Sequence, residues 1–140
     1  MDMEESPPPF IVFRTPKLEG SKALAASKAL AAIDVYQLAL DFTSKIELVL
    51  QKTDARYFLK DRLDRNSSGI AMKVAQAVND LAPSGRRASY RQAHALAVDC
   101  STVLDILARR SDIDRAVVYA AQQLLAQLLS NLDHLRNQSV

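Results

Sequence analysis

The chain predicts an all-α fold, an antiparallel up-down-up-down four-helix bundle preceded by an extended N-terminal arm. Three observations carry that expectation. Between Leu59 and Leu107, apolar residues recur at steps of three and four, first as Leu59, Leu63, Ser67, Ile70, Val74, Val78 and Leu81, then as Ala93, Leu96, Cys100, Val103 and Leu107. Such spacing stacks side chains on one face of an α-helix. A Pro-Ser-Gly turn at Pro83 to Gly85 separates the two stripes, and a connection this short makes consecutive helices antiparallel neighbours. The composition agrees: 49% hydrophobic and 24% charged residues with only three Gly and no Trp favour helices over strands. A chain of 140 residues is long enough for one domain with its own core.

The elements follow in order. Residues 1–20 hold Pro7, Pro8, Pro9 and Pro16, which remove backbone donors and fix φ, so a disordered or polyproline-like arm is expected there. Phe10, Ile11, Val12 and Phe13 interrupt that arm and would need a surface to dock on. A tandem SKALAA duplication at 21–32 reads as a helical extension. Its six-residue period sets Leu24 and Leu30 about 120 degrees apart, so it makes no continuous stripe.

Within a bundle unit spanning 21–137, the helices are expected at about 21–51, 55–81, 89–110 and 113–136. Val35, Leu38, Phe42, Ile46 and Val49 mark the first, with Lys52, Thr53 and Asp54 closing it. Pro83 and Gly85 stop the second, and Ser89 is the expected N-cap of the third. Ser111 or Asp112 opens the fourth, where Ile113, Val117, Ala121, Leu124, Leu128 and Leu135 form one stripe and Val118, Leu125, Leu129 and Leu132 a second beside it. An apolar arc so wide predicts self-association, with Val118, Leu125, Leu129 and Leu132 as the oligomer interface.

Cys100 has no second cysteine to pair with, no apolar run approaches the roughly 20 residues of a membrane span, and MDMEESPPPF lacks the basic start of a secretion signal. A cytoplasmic protein without membrane contact is expected. The formal charge of +2 averages unlike regions. Between Arg56 and Arg110 ten Lys or Arg face five Asp, a local excess of 10 − 5 = +5.

Three blocks resemble a known family. Ala32 to Phe42, Leu59 to Ala77 and Ala93 to Leu107 are similar to the opening, second and third helices of the small bacterial four-helix bundle proteins first noticed in intervening sequences of 23S rRNA genes. Relatives of that family include the accessory variability protein of diversity-generating retroelements. Leu63, Arg65, Ser68, Ile70, Ala75, Cys100, Leu104 and Asp105 agree with its pattern, while Gln76 and His94 stand where it carries Glu and Arg. The resemblance spans about 33–136 and implies an up-down-up-down bundle, a ring-like homo-oligomer of pentameric form, and a basic surface that engages nucleic acid and a reverse transcriptase.

No catalytic constellation stands out. His94 and His134 lack the acid three residues earlier that a di-iron bundle uses, one Cys with two distant His is a poor zinc set, and Ser84 to Arg87 lack the P-loop pattern. No cofactor, metal or catalytic residue is therefore expected. Cys100 on a buried stripe reads as a small hydrophobe. Tyr36, Tyr57, Tyr90 and Tyr119 are scattered along the chain and read as core or rim packing.

The basic residues allow two readings. Lys60, Arg62 and Arg65 interleave with Asp61 and Asp64 as a solvated face would. Alternatively Arg86, Arg87 and Arg91, at a turn with no acid between Leu81 and Val98, form a phosphate-facing rim that Lys60, Arg62, Arg65 and Lys73 extend. The expected function is a non-enzymatic, self-associating accessory protein that binds nucleic acid or a nucleic-acid enzyme; the alternative is a protein-interaction module without nucleic-acid binding.

Overall fold

The computed structural model describes the backbone of residues 22–110 and 112–138 and the side chains of 30–110 and 112–137. The expectations about the Pro-rich arm, Phe10 to Phe13 and Ser111 fall outside those residues. Four helices, α1 (Lys22–Lys52), α2 (Tyr57–Asn79), α3 (Pro83–Arg110) and α4 (Arg115–Gln138), account for nearly all of the described chain, and no strand occurs in it. Each helix packs on two neighbours, α1 on α2, α2 on α3, α3 on α4 and α4 back on α1, and among the described residues no Cα atoms approach within 8 Å across a diagonal. This is the expected antiparallel bundle. The SKALAA duplication, from Lys22 onward, forms the opening turns of α1.

Each helix buries one stripe. In α1 it runs Val35, Ala39, Phe42, Ile46, Val49; in α2 Leu59, Leu63, Ser67, Ile70, Val74, Ala77; in α3 Tyr90, Ala93, Ala97, Cys100, Leu104, Leu107; in α4 Val118, Ala121, Leu125, Leu128, Leu132, Leu135. All step by three and four residues, as a 3.6-residue repeat requires. Buried polar groups are satisfied: the Ser67 hydroxyl donates to the Asp64 carbonyl at 3.0 Å, and Ala55 N–H donates to Thr53 Oγ1 at 3.2 Å. Among the described residues no buried side-chain donor or acceptor lacks a partner. Gly69 lets α3 approach closely, since a Cβ there would stand 3.0 Å from Leu96 Cδ1.

Four expectations need correction. The fourth helix does not hold a spare stripe, because Val118, Leu125 and Leu132 are fully buried in the bundle's own core and Leu129 is half-buried against it. Three of the four residues assigned to an oligomer interface are therefore not on the surface. Summing two adjacent stripes overlooked that the core-facing arc straddles both. Ser89 is not an N-cap, for α3 begins at Pro83, whose fixed φ suits the first helical position. There Asp80 Oδ1 accepts from Ala82 N–H at 2.9 Å, and Arg86 N–H donates to the Ala82 carbonyl at 3.0 Å.

Gly85 is tolerated there because Asp80 folds over it; an added Cβ would stand 1.9 Å from Asp80 Oδ2. Leu81, placed on the α2 stripe, lies beyond the helix end and is exposed. Finally, Asp114 rather than Ser111 or Asp112 opens α4, its Oδ1 accepting from Ala116 N–H at 2.9 Å while its carbonyl takes Val117 N–H at 3.1 Å.

Ile70→Ala should cost about 2–5 kcal/mol in urea denaturation, whereas Met72→Ala, two residues away on the exposed side, should stay within about 0.5 kcal/mol. Equal losses would show the helical phase to be wrong. Removing the α4 cap with Asp114→Ala should cost about 0.5–2 kcal/mol by the same measurement, and no loss would mean the cap is not used.

Candidate nucleic-acid interface

The structure scatters the basic residues that the sequence grouped. Arg62 donates through Nε to Asp99 Oδ2 at 2.7 Å and through Nη2 to Asp99 Oδ1 at 2.6 Å, and Asn66 donates to the same carboxylate. Arg65 pairs with Asp61 at 3.0 Å, and Lys73 donates to Gln76 Oε1 at 3.3 Å. Arg62, Arg65 and Lys73 thus line a groove of about 850 Å3 between α2 and α3, but Asp61 and Asp99 neutralise most of its charge. Arg86 turns back over the end of α2 and donates to the carbonyls of Asp80 at 3.1 Å and Leu81 at 3.2 Å. It acts as a C-terminal clamp for α2, where exposed carbonyls attract a cation. Arg87 is half-buried and already engaged, and only Arg91 of that trio stands exposed without an ion pair among the described residues.

The cations without ion pairs gather elsewhere. An up-down-up-down path puts the α1–α2 and α3–α4 turns at the same end of the bundle, opposite to Arg86. That end carries Lys52, Arg56 and Lys60 from the first turn and Arg109, Arg110 and Arg115 from the second, and none forms an ion pair among the described residues. Windows 52–60 and 109–115 hold six cations against Asp54, Asp112 and Asp114, a balance of 6 − 3 = +3. Arg56 and Arg110 meet across one depression with Leu59 and Leu107, so the two turns form a single surface. Lys60, one of the basic residues expected from the sequence, belongs to this group rather than to the α2–α3 groove.

Exposed aromatics share that end. Tyr57 (80% exposed) and Phe58 (57%) begin α2, and Tyr119 (61%) lies one turn into α4. By contrast, Tyr90 and Phe42 are buried and Tyr36 is half-buried. The sequence reading of all four tyrosines as packing residues therefore fails for Tyr57 and Tyr119. Their linear separation hid that both lie near helix starts at the same end of the bundle.

Helix electrostatics distinguish these cations. Lys52, Arg109 and Arg110 occupy the last turns of α1 and α3, where the negative end of the dipole stabilises them. Arg56 and Arg115 do the opposite. Arg56 is the extended residue preceding α2 and gives no side-chain cap, Arg115 is the first residue of α4, and neither first turn contains an acid. A cation at a helix N-terminus costs on the order of 0.3–1 kcal/mol, so fold stability does not explain either arginine. An anion near Arg56 would meet both side-chain charge and the uncapped positive start of α2, whereas the Asp114 carboxylate already occupies the start of α4.

Elsewhere the chemistry is quiet. Burial pushes the Cys100 thiol up to about 12, with the Asp99 charge adding to the effect, so it stays protonated near neutrality. The His94 imidazole is held below its ordinary range by burial and by Arg136, against the opposing pull of Asp133. Burial raises the Tyr90 phenol despite nearby Arg86. Among the described residues no three His, Cys, Asp or Glu converge to hold a metal, and no helix is long and apolar enough to cross a membrane.

Compared with protein-family models, with curated proteins and with solved structures, the chain matches none.

The Arg62 hydrogen bonds hold Asp99 below the usual carboxylate range, against the desolvation that would raise it. A depressed folded pKa contributes stability that is present above the unfolded value near 3.9 and is lost as pH falls through the folded pKa. Asp99→Asn should therefore lower stability at pH 7 and shrink the loss of stability below about pH 4, measured by thermal melts from pH 2 to 7. An unchanged acid limb would show that the pair does not bear on folding.

Proposed function

We propose that this protein is a non-catalytic binding module that engages the phosphate backbone of nucleic acid through the end of the bundle formed by the α1–α2 and α3–α4 turns. One observation carries the reading: six cations without ion pairs gather at one end of the bundle, where Arg56 meets Arg110 across one depression and Arg109 and Arg115 share a cavity with exposed Tyr119. Cations that already hold carboxylates gain little from a phosphate, whereas free ones release counterions on binding and aromatic rings add sequence-tolerant stacking. Nothing in the arrangement resembles a base-reading helix, so binding is expected to show weak sequence preference.

The homo-oligomeric, pentameric ring and the reverse transcriptase partner implied by the family resemblance belong to this proposal as extensions. A ring would repeat the basic end in every copy. Its interface would have to avoid Val118, Leu125 and Leu132, which the core already uses. A second reading, a protein-interaction module, draws on the near-neutral α2–α3 groove, whose lining includes exposed Phe58 and half-buried Leu96. Apolar anchors around an internally paired Arg–Asp suit a protein partner better than a polyanion.

A titration of RNA and DNA at 50 and 200 mM salt separates the readings. Wild type should bind at low salt and lose about tenfold or more in affinity at the higher, since each phosphate contact steepens the salt slope. Changing Arg56, Arg109, Arg110 and Arg115 together to Gln should abolish most binding, while changing Arg86, Arg87 and Arg91 to Gln should leave it nearly intact. The reverse ranking would return the site to the α2–α3 turn. No binding by wild type at low salt would leave the protein-interaction reading.

A further inference from the structure

Within the basic end, a cavity of about 600 Å3 opens between α3 and α4, lined by Ala108, Arg109, Arg115, Val118, Tyr119 and Gln122. That volume lies in the range of small-ligand sites, roughly 300–1,000 Å3. Arg115, Tyr119 and Gln122 follow one another at steps of four and three, which places them on one face of α4; Ala108 and Arg109 form the opposite wall from α3. Buried Val118 contributes an apolar part of the lining, and Ala108 keeps the α3 wall low.

The polar groups are chemically complementary to a nucleotide. Arg109 and Arg115 present two guanidiniums without a carboxylate partner among the described residues, and such groups take phosphate oxygens in bidentate fashion. Gln122 donates through Nε2 to Asp105 Oδ1 at 3.1 Å, which orients the amide and leaves Oε1 as an acceptor. The Tyr119 ring is more than half exposed beside both arginines. An aromatic face next to two cations offers a stacking surface and a phosphate site within one cavity.

We infer that this cavity receives one unpaired nucleotide of a single-stranded nucleic acid, its base against Tyr119 and its phosphate between Arg109 and Arg115. The inference rests on the nucleic-acid reading above and narrows it from any polyanion to single strands. Bases inside a duplex are already stacked on one another and do not present a free face to the ring. Charge alone would draw duplex and single strand alike. The base requirement is what the cavity adds.

The experiment compares three labelled oligonucleotides of equal length by fluorescence anisotropy at low salt: a single strand, its duplex, and an abasic strand that keeps the phosphates but lacks the bases. Wild type should prefer the normal strand over the abasic one by about tenfold, the worth of one stacked base. Tyr119→Ala should erase that preference while leaving abasic binding unchanged, and Tyr119→Phe should restore it. Far-UV circular dichroism and a thermal melt establish that both variants fold, as expected for an exposed residue.

If wild type binds normal and abasic strands equally, or if Tyr119→Ala keeps the preference, the single-strand inference is overturned while the charge-based reading stands. If no oligonucleotide binds at all, both fall together.

Discussion

Short turns force consecutive helices to run antiparallel, and the rest of the molecule depends on that constraint. Four helices joined by connections of a few residues alternate in direction, so the first and third turns meet at one end and the second turn lies at the other. Residues far apart in the chain become neighbours by this rule alone. Arg56 and Arg110 share a depression although more than fifty positions separate them, because Leu59 and Leu107 beneath them are buried on facing helices. The candidate interface is thus a consequence of connectivity before it is a property of any one segment.

The sides and the ends of the bundle use charge differently. Along the α2–α3 seam, Arg62, Asp99 and Asn66 satisfy one another across two helices, and Arg65 closes on Asp61 within α2. Those partly exposed pairs contribute little net stability each, but they consume the cations that a polyanion would need. At the end formed by the first and third turns one acid, Asp114, is engaged in backbone work instead. Asp114 caps α4, and Thr53 Oγ1 accepts from Ala55 N–H in the α1–α2 turn. The arginines there are left unneutralised, two of them where the helix dipole opposes them. A positive surface that the fold does not require is the basis of the functional proposal.

Much of the architecture was legible in the residues. The period of three and four located all four helices, and Leu63, Ile70, Val74, Phe42, Ile46, Cys100 and Leu107 are core residues because the apolar stripe admits only one phase. The boundaries were less legible. Pro83 signals both a break and a helix start, and only the Asp80 carboxylate folded over Gly85 decides for the start. Ala71, off the three-and-four stripe of α2, is buried as well, because a small residue at the edge of an apolar arc costs little to cover.

The site was the least legible part, for a physical reason. Linear counting sees that Arg86 and Arg87 are adjacent, but not that Arg86 is spent on the carbonyls ending α2. Nor does it see that Arg56 meets Arg110 across two turns, or that Arg109 and Arg115 share a cavity with Tyr119. The first turns of α2, α3 and α4 all lack an acid, so that pattern alone does not single out one end of the bundle.

The central claim is that one particular end of the bundle meets nucleic acid, and amide chemical-shift mapping tests it most directly. Titrating a short single-stranded oligonucleotide into uniformly 15N-labelled protein at low salt should move the backbone resonances of residues 52–60 and 109–122, with 80–91 at the opposite end nearly unchanged. Shifts confined to 80–91, or to the α2–α3 groove around Arg62 and Asp99, would contradict the account.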